Sequence, residues 1–243
     1  MTSLWRIFSR SICGLCALPA LAATLSGTLQ LVDSLDPAVH KSKDYSGVVI
    51  WLERTGAAPP SAPRAAAPRA RMIQKDKRFI PHVLAIPAGA AVDFPNYDPV
   101  FHNAFSNFSG QIFDVGLYPP GSSRTVTFTR PGIVRVFCNI HPAMSAVIAV
   151  LDSDWFTVSP PSGAFAIRDV PPGDYRLHIY HERAAASTLK ALERKIEIRS
   201  EPIVLAPIQI SETGHVEAPH FNKYGKEYPP SSEGNVLYPG ARK

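Results

Sequence analysis

The stretch that decides the reading is Pro131-Gly132-Ile133-Val134-Arg135-Val136-Phe137-Cys138-Asn139-Ile140-His141-Pro142-Ala143-Met144. Val134, Val136 and Cys138 alternate, so they share one face of a strand that opens after a Pro-Gly turn and ends at the cysteine. His141 and Met144 follow at steps of three, which lets a tight loop fold an imidazole and a thioether around the thiol. A fourth donor must come from elsewhere in the sheet. His102, 36 positions before Cys138 in Val100-Phe101-His102-Asn103, is the best candidate. Thiolate, thioether and two imidazoles make the donor set for copper that cycles between Cu(I) and Cu(II), a His2Cys plane with a weak axial Met. Zinc normally replaces the Met with a harder ligand. The bland alternative makes Cys138 and Met144 core residues and His102 a hydrogen-bonded loop residue; four donors in the right order favour the metal.

The cysteine gains weight from the start of the chain. Arg6 and Arg10 precede a short apolar run, Ile12 to Leu21, that ends in Ala20-Leu21-Ala22, the pattern of a signal peptide over residues 1–22. A membrane anchor would need about 20 apolar residues, more than this run supplies. Cleavage before Ala23 removes Cys13 and Cys16, so no transmembrane span is expected in the mature chain, and its location is periplasmic or secreted. Cys138 is then the sole cysteine, and with one cysteine there is no internal disulfide. Its thiol is free, intermolecular or a metal ligand.

Composition bounds the rest. With 243 residues, 45% hydrophobic and 19% charged, the chain is too apolar for a disordered protein and long enough for one large core or two small ones. Its 24 prolines, about twice the usual ~5%, penalise long helices. The formal charge of +5 is concentrated between Arg54 and Arg78. Much of that run is the Pro/Ala/Arg-rich stretch of residues 56–71, which has no aromatics to stack on bases and reads as a solvated linker. No nucleic-acid partner is expected.

Strand signals flank that linker. Leu25 to Val32 and Gly47 to Leu52 precede it; Val83 to Ile86, Ala91 to Phe94, Thr125 to Phe128, Ile133 to Cys138 and Ala146 to Leu151 follow in series. A third block holds Gly163 to Ile167 and a run in which Tyr175, Leu177 and Ile179 alternate. Ala184 to Lys195 is the only credible helix, and residues 213–243 read as a loosely ordered polar tail.

On Val92-Asp93-Phe94-Pro95-Asn96 leading to His102-Asn103, and Thr127 to Gly132 leading to Cys138-x2-His141-x2-Met144, the sequence resembles the cupredoxins, the plastocyanin-like blue copper proteins. The short Cys-x2-His-x2-Met loop with Pro142 is similar to that of amicyanin. The resemblance implies one type 1 copper held by His102, Cys138, His141 and Met144, with Asn103 tying the two ligand loops together from behind. It also implies an electron-exit patch of His141, Pro142 and Ala143 where redox partner proteins dock. There is no His-x-His pair for the further coppers of multicopper oxidases, and four protein ligands leave no open position for a substrate. The expectation is a carrier, not an enzyme, with no catalytic residues.

Gly163-Ala164-Phe165-Ala166-Ile167 with Pro172-Gly173-Asp174-Tyr175-Arg176-Leu177 resembles the hairpin of the carboxypeptidase-regulatory-like β-sandwich. The expected fold class is all-β, a Greek-key cupredoxin sandwich or barrel plus a second small β-sandwich. The cupredoxin (72–151) is inserted into a sandwich formed by residues 23–55 and 152–212. The competing assignment gives the two early strands to the cupredoxin, which at 80 residues is short for its family. The layout is also similar to proteins labelled methylamine-utilisation, a label that implies nothing about methylamine metabolism. The leading function is an exported one-electron carrier. The alternatives are copper binding and delivery, or a non-catalytic scaffold whose sandwich holds a partner or a carbohydrate.

Overall fold

The computed structural model describes residues 22–56, 69–107, 110–215 and 220–228; the expected signal peptide and most of the expected linker lie outside them. The described residues are almost entirely strands and loops, with two short helices. First come β1 (Ala23–Val32), α1 (Pro37–Ser42) and β2 (Val49–Arg54). A middle series follows: β3 (Arg69–Arg71), β4 (Ile73–Lys75), β5 (Arg78–Ile80), β6 (Val83–Pro87), β7 (Ala91–Pro95), β8 (Phe105–Ser106), β9 (Phe113–Asp114), β10 (Ser123–Thr127), β11 (Gly132–Phe137) and β12 (Ser145–Leu151). The last part is β13 (Phe156–Val158), β14 (Ala164–Val170), β15 (Gly173–Tyr180), α2 (Ala186–Leu192), β16 (Arg194–Ile198), β17 (Ile203–Val204) and β18 (Ile208–Ser211).

The early strands pair with the late ones. β1 runs antiparallel to β14 and parallel to β17 and β18, while β2 lies between β13 and β15, with β16 beyond. Period-two alternation explains the packing: Leu25, Leu29 and Leu31 of β1 and Tyr175, Leu177 and Ile179 of β15 turn inward and meet Ile50, Leu52, Phe165 and Ile167 in one core. Burying each such side chain contributes about 1.5–3 kcal/mol.

The middle strands make a second core. β7 lies between β3 and β10, and β12 lies between β6 and β11, with β8 and β9 extending that sheet. Met72, Phe94, Tyr118, Phe128, Val134 and Val136 fill the space between them, together with Cys138 and Met144. Strand β12 is buried on both faces. Ala146, Ile148 and Val150 face this core, whereas Val147, Ala149 and Leu151 join Val49 and Val83 in a third cluster, against which Trp51, Phe156 and Tyr180 pack. That double burial explains why its sequence is a continuous apolar run without polar alternation.

Two local expectations need correction. Arg69–Arg71, assigned to the linker by composition, is a strand that adds to β7 in parallel through its backbone. The expected helix near Ala184 to Lys195 is the seven-residue α2, and α1 is a second helix. Asp36 caps α1 by accepting from the Ala38 amide at 2.8 Å, and Pro37 occupies its first turn.

Candidate metal centre

Strands β11 and β12 pair from Gly132↔Val150 to Phe137↔Ser145, so residues 138–144 form the loop that joins them. The alternation that buries Val134 and Val136 continues to Cys138, which is fully buried at the top of the second core. The loop is tied to itself by two backbone bonds, Cys138 N to Met144 O at 3.2 Å and Met144 N to His141 O at 3.0 Å. His102 arrives from the other side, on an isolated bridge with Tyr118 in which each amide donates to the other's carbonyl.

These elements bring three of the four expected donors together. The Sγ of Cys138 lies 3.9 Å from Nδ1 of His102 and 3.7 Å from Nδ1 of His141, and the two Nδ1 atoms are 3.1 Å apart. Among the described residues this is the one cluster of His, Cys, Asp and Glu side chains with the spacing to hold a metal ion. Met144 is buried in the same core as Cys138. His102 is completely buried, His141 is half-buried, and Pro142 and Ala143 are exposed.

Buried partners set the chemistry. His102 Nε2 lies 2.7 Å from Oδ2 of Asp98, which itself accepts from the amides of Asp76 (2.6 Å) and Lys77 (2.9 Å). Burial pushes the Asp98 carboxyl upward, but the Lys77 amide, His102 and the Asp76 amide outweigh it and hold it below the usual range. The ionised Asp98 takes the Nε2 proton as a hydrogen bond, which leaves the lone pair of His102 on Nδ1, facing Cys138. Burial also keeps both rings neutral: it lowers His102 against the pull of Asp98, and burial and the neighbouring His102 push His141 down to about 4. The Cys138 thiol is raised by burial, an effect partly offset by hydrogen bonds from the backbone amides of Ile140, Asn103 and His141. Two neutral imidazoles and a sulfur with amide support therefore converge where a soft cation fits.

Asn103 contributes in two directions. Its amide supports the Cys138 sulfur, while its side-chain Nδ2 donates to Oδ1 of Asp114 at 2.7 Å and its Oδ1 has no partner. Beneath it, Tyr118 donates its hydroxyl to Gln74 Oε1 at 2.7 Å, and Gln74 Nε2 donates to the Asn103 carbonyl at 3.1 Å. Sequence reasoning passed over Asp98, Gln74 and Asp114; the carboxylate four positions before His102 was the available sign of the first.

Residues 220–228, within the expected tail, also reach the site. His220 Nε2 donates to the Pro142 carbonyl at 2.7 Å, and the Tyr228 hydroxyl donates to the Cys138 carbonyl at 3.0 Å. His220 thus lies against the loop.

No protein-family profile matches this chain, and no curated protein matches it. Several solved structures do. A purple cupredoxin from Nitrosopumilus maritimus is 24% identical over 34% of this chain and 99% of that one, with a TM-score of 0.32. A copper-containing nitrite reductase from Thermus scotoductus is 25% identical over 51% of this chain, with a TM-score of 0.33; the match spans 28% of the reductase. A mutant of amicyanin in its oxidised state is 18% identical over 34% of this chain and 81% of that one, with a TM-score of 0.32.

Proposed function

We propose that this chain is an exported type 1 copper protein that passes single electrons between redox partners, periplasmic or secreted in location. One observation carries the reading: the ring nitrogens of His102 and His141 and the sulfur of Cys138 lie within 4.8 Å of one another at the end of a buried sheet. His102, Cys138 and His141 would hold the metal, with Met144 of the same core as a weak fourth donor. Copper in such a donor set alternates between Cu(I) and Cu(II) at a potential tuned by the axial ligand.

The residues divide the work. Asp98 fixes the tautomer and orientation of His102, and the amides of Ile140, Asn103 and His141 stabilise the Cys138 thiolate. The buried His102 ring and the Phe-rich core exclude water, while half-buried His141 beside exposed Pro142 and Ala143 offers the route by which electrons leave. A donor set supplied wholly by the protein favours a carrier over an enzyme. The strand pairings support two units: a cupredoxin of residues 72–151 within a carboxypeptidase-regulatory-like sandwich of residues 23–55 and 152–212. The pairing of β1 with β14, and of β2 with β15, favours this over giving β1 and β2 to the cupredoxin.

The test is the visible spectrum of the purified protein with Cu(II), beside Cys138→Ala. An intense thiolate-to-copper band in the parent alone is expected. Stoichiometric copper without that band would defeat the carrier reading.

A further inference from the structure

The segment of residues 220–228 forms no helix or strand and hides little apolar surface of its own: Phe221 and Tyr224 remain 49% and 70% exposed. It is folded on itself by hydrogen bonds around Asn222, and its two ends rest against the loop between β11 and β12. That loop has two backbone–backbone bonds within itself, and neither uses the carbonyl of Cys138 or Pro142. The tail takes one carbonyl each through Tyr228 and His220, at 3.0 and 2.7 Å. Between them, the Lys223 amide donates to Oδ1 of Asn139 at 3.0 Å. The His220 ring stacks on Phe137, the residue before Cys138, with centroids 4.0 Å apart, and the Tyr228 hydroxyl lies 3.2 Å from His220 Nδ1.

The grip extends to the far side of the site. Lys223 Nζ lies 2.7 Å from Oδ2 of Asp114, whose Oδ1 accepts from the Asn103 side chain, and the Asn103 amide supports the Cys138 sulfur. One short segment is thereby bonded to the carbonyl of Cys138, to the residues that follow Cys138 and His141, and, through Asp114, to Asn103 beside His102.

From these contacts, and resting on the copper reading above, we propose that residues 220–228 are a clamp whose His220, Lys223 and Tyr228 position the 138–144 loop. Outer partners of metal ligands govern how well a site holds its ion. Loops are more mobile than the strands they join, so added partners at the surface side of this one restrain it further. The clamp supplies fixed partners for carbonyls that would otherwise exchange with water, and so slows the opening that lets a bound ion escape.

The experiment uses the full chain carrying His220→Ala with Tyr228→Phe, with exposed Lys226→Ala as the control. In the metal-free protein, amide hydrogen exchange at residues 138–144 is expected to be on the order of tenfold faster in the double variant and unchanged in the control. Release of Cu(II) to EDTA is expected to accelerate on the same order, with the thiolate-to-copper band retained. Lys223→Ala, which frees Asp114 alone, should move both readouts the same way by less. Unchanged exchange in the double variant overturns the clamp, as does faster exchange with unchanged copper release. A parent without the thiolate-to-copper band overturns the copper reading instead, and exchange in the metal-free protein still decides whether the tail holds the loop.

Discussion

The Nε2 atom of His102 lies 2.7 Å from a carboxylate oxygen of Asp98, and both residues are buried. Replacing Asp98 by Asn keeps the shape but removes the negative charge behind the imidazole. Copper affinity of Asp98→Asn is expected to fall roughly 10- to 100-fold. The reduction potential is expected to rise, because the lost carboxylate favoured the more highly charged Cu(II). Competition with a chelator and redox titration check both; an unchanged potential would mean that Asp98 serves packing alone.

Met144→Leu separates ligand from core residue. Leu fills a similar volume, so the unfolding free energy should change by less than about 1.5 kcal/mol. The thiolate-to-copper band should persist, while the potential rises because Cu(II) loses its weak fourth donor. If neither the spectrum nor the potential moves, Met144 is only a core residue.

In the other core, Glu212 accepts from Ser34 Oγ (2.7 Å), His181 Nε2 (2.8 Å) and Arg183 Nε (2.9 Å). Burial raises its carboxyl, but the bonds from Arg183, Ser34 and His181 outweigh that and set it below the usual 4.5. A depressed carboxylate contributes stability that is complete above 4.5 and lost as the pH falls through its lower folded value. Burial likewise lowers His181 below 6.5, so acid costs stability there too, starting in a higher window. Glu212→Gln should cost roughly 1–3 kcal/mol at neutral pH, by removing the buried carboxylate that binds Arg183 and leaving it Asp36 at 3.1 Å, and should flatten the acid limb. Denaturant midpoints between pH 3 and 8 test this.

His82 carries the opposite sign. Its Nε2 lies 2.6 Å from Oε1 of Glu182 and its Nδ1 3.1 Å from the Ser145 carbonyl, the residue after Met144. The Glu182 hydrogen bond raises His82 above 6.5, so its contribution is complete below that value and fades as the pH rises through the folded one. His82→Ala should therefore lose stability relative to the parent at pH 6 but much less at pH 9. An equal loss at both would assign His82 to packing.

Much of this was legible in the residues themselves. The alternation through Val134, Val136 and Cys138 carries directly into the buried face of β11, and the steps to His141 and from His102 bring those rings to the sulfur. Tyr175, Leu177 and Ile179 turn inward as their spacing requires. What the sequence concealed depends on groups that every residue carries. Arg69–Arg71 joins β7 by backbone pairing, to which a Pro/Ala-rich composition is blind. The hydrogen bonds by which His220 and Tyr228 hold the loop go to carbonyl oxygens, which leave no mark in a side-chain pattern. Asp98 was hidden differently: an acidic residue beside a proline reads as a turn, and only the tertiary fold sets it behind a histidine.

Strand β12 begins next to Met144 and is shared, its even-numbered residues facing one core and its odd-numbered residues another. Anyone wishing to prepare the part that carries the candidate metal centre alone will meet the consequence. A chain cut down to residues 72–151 would lay bare Val83, Val147, Ala149 and Leu151 as one greasy stripe, inviting self-association. Strands β2, β13 and β15 cover that stripe here, and a minimal version would first need it rewritten in polar residues.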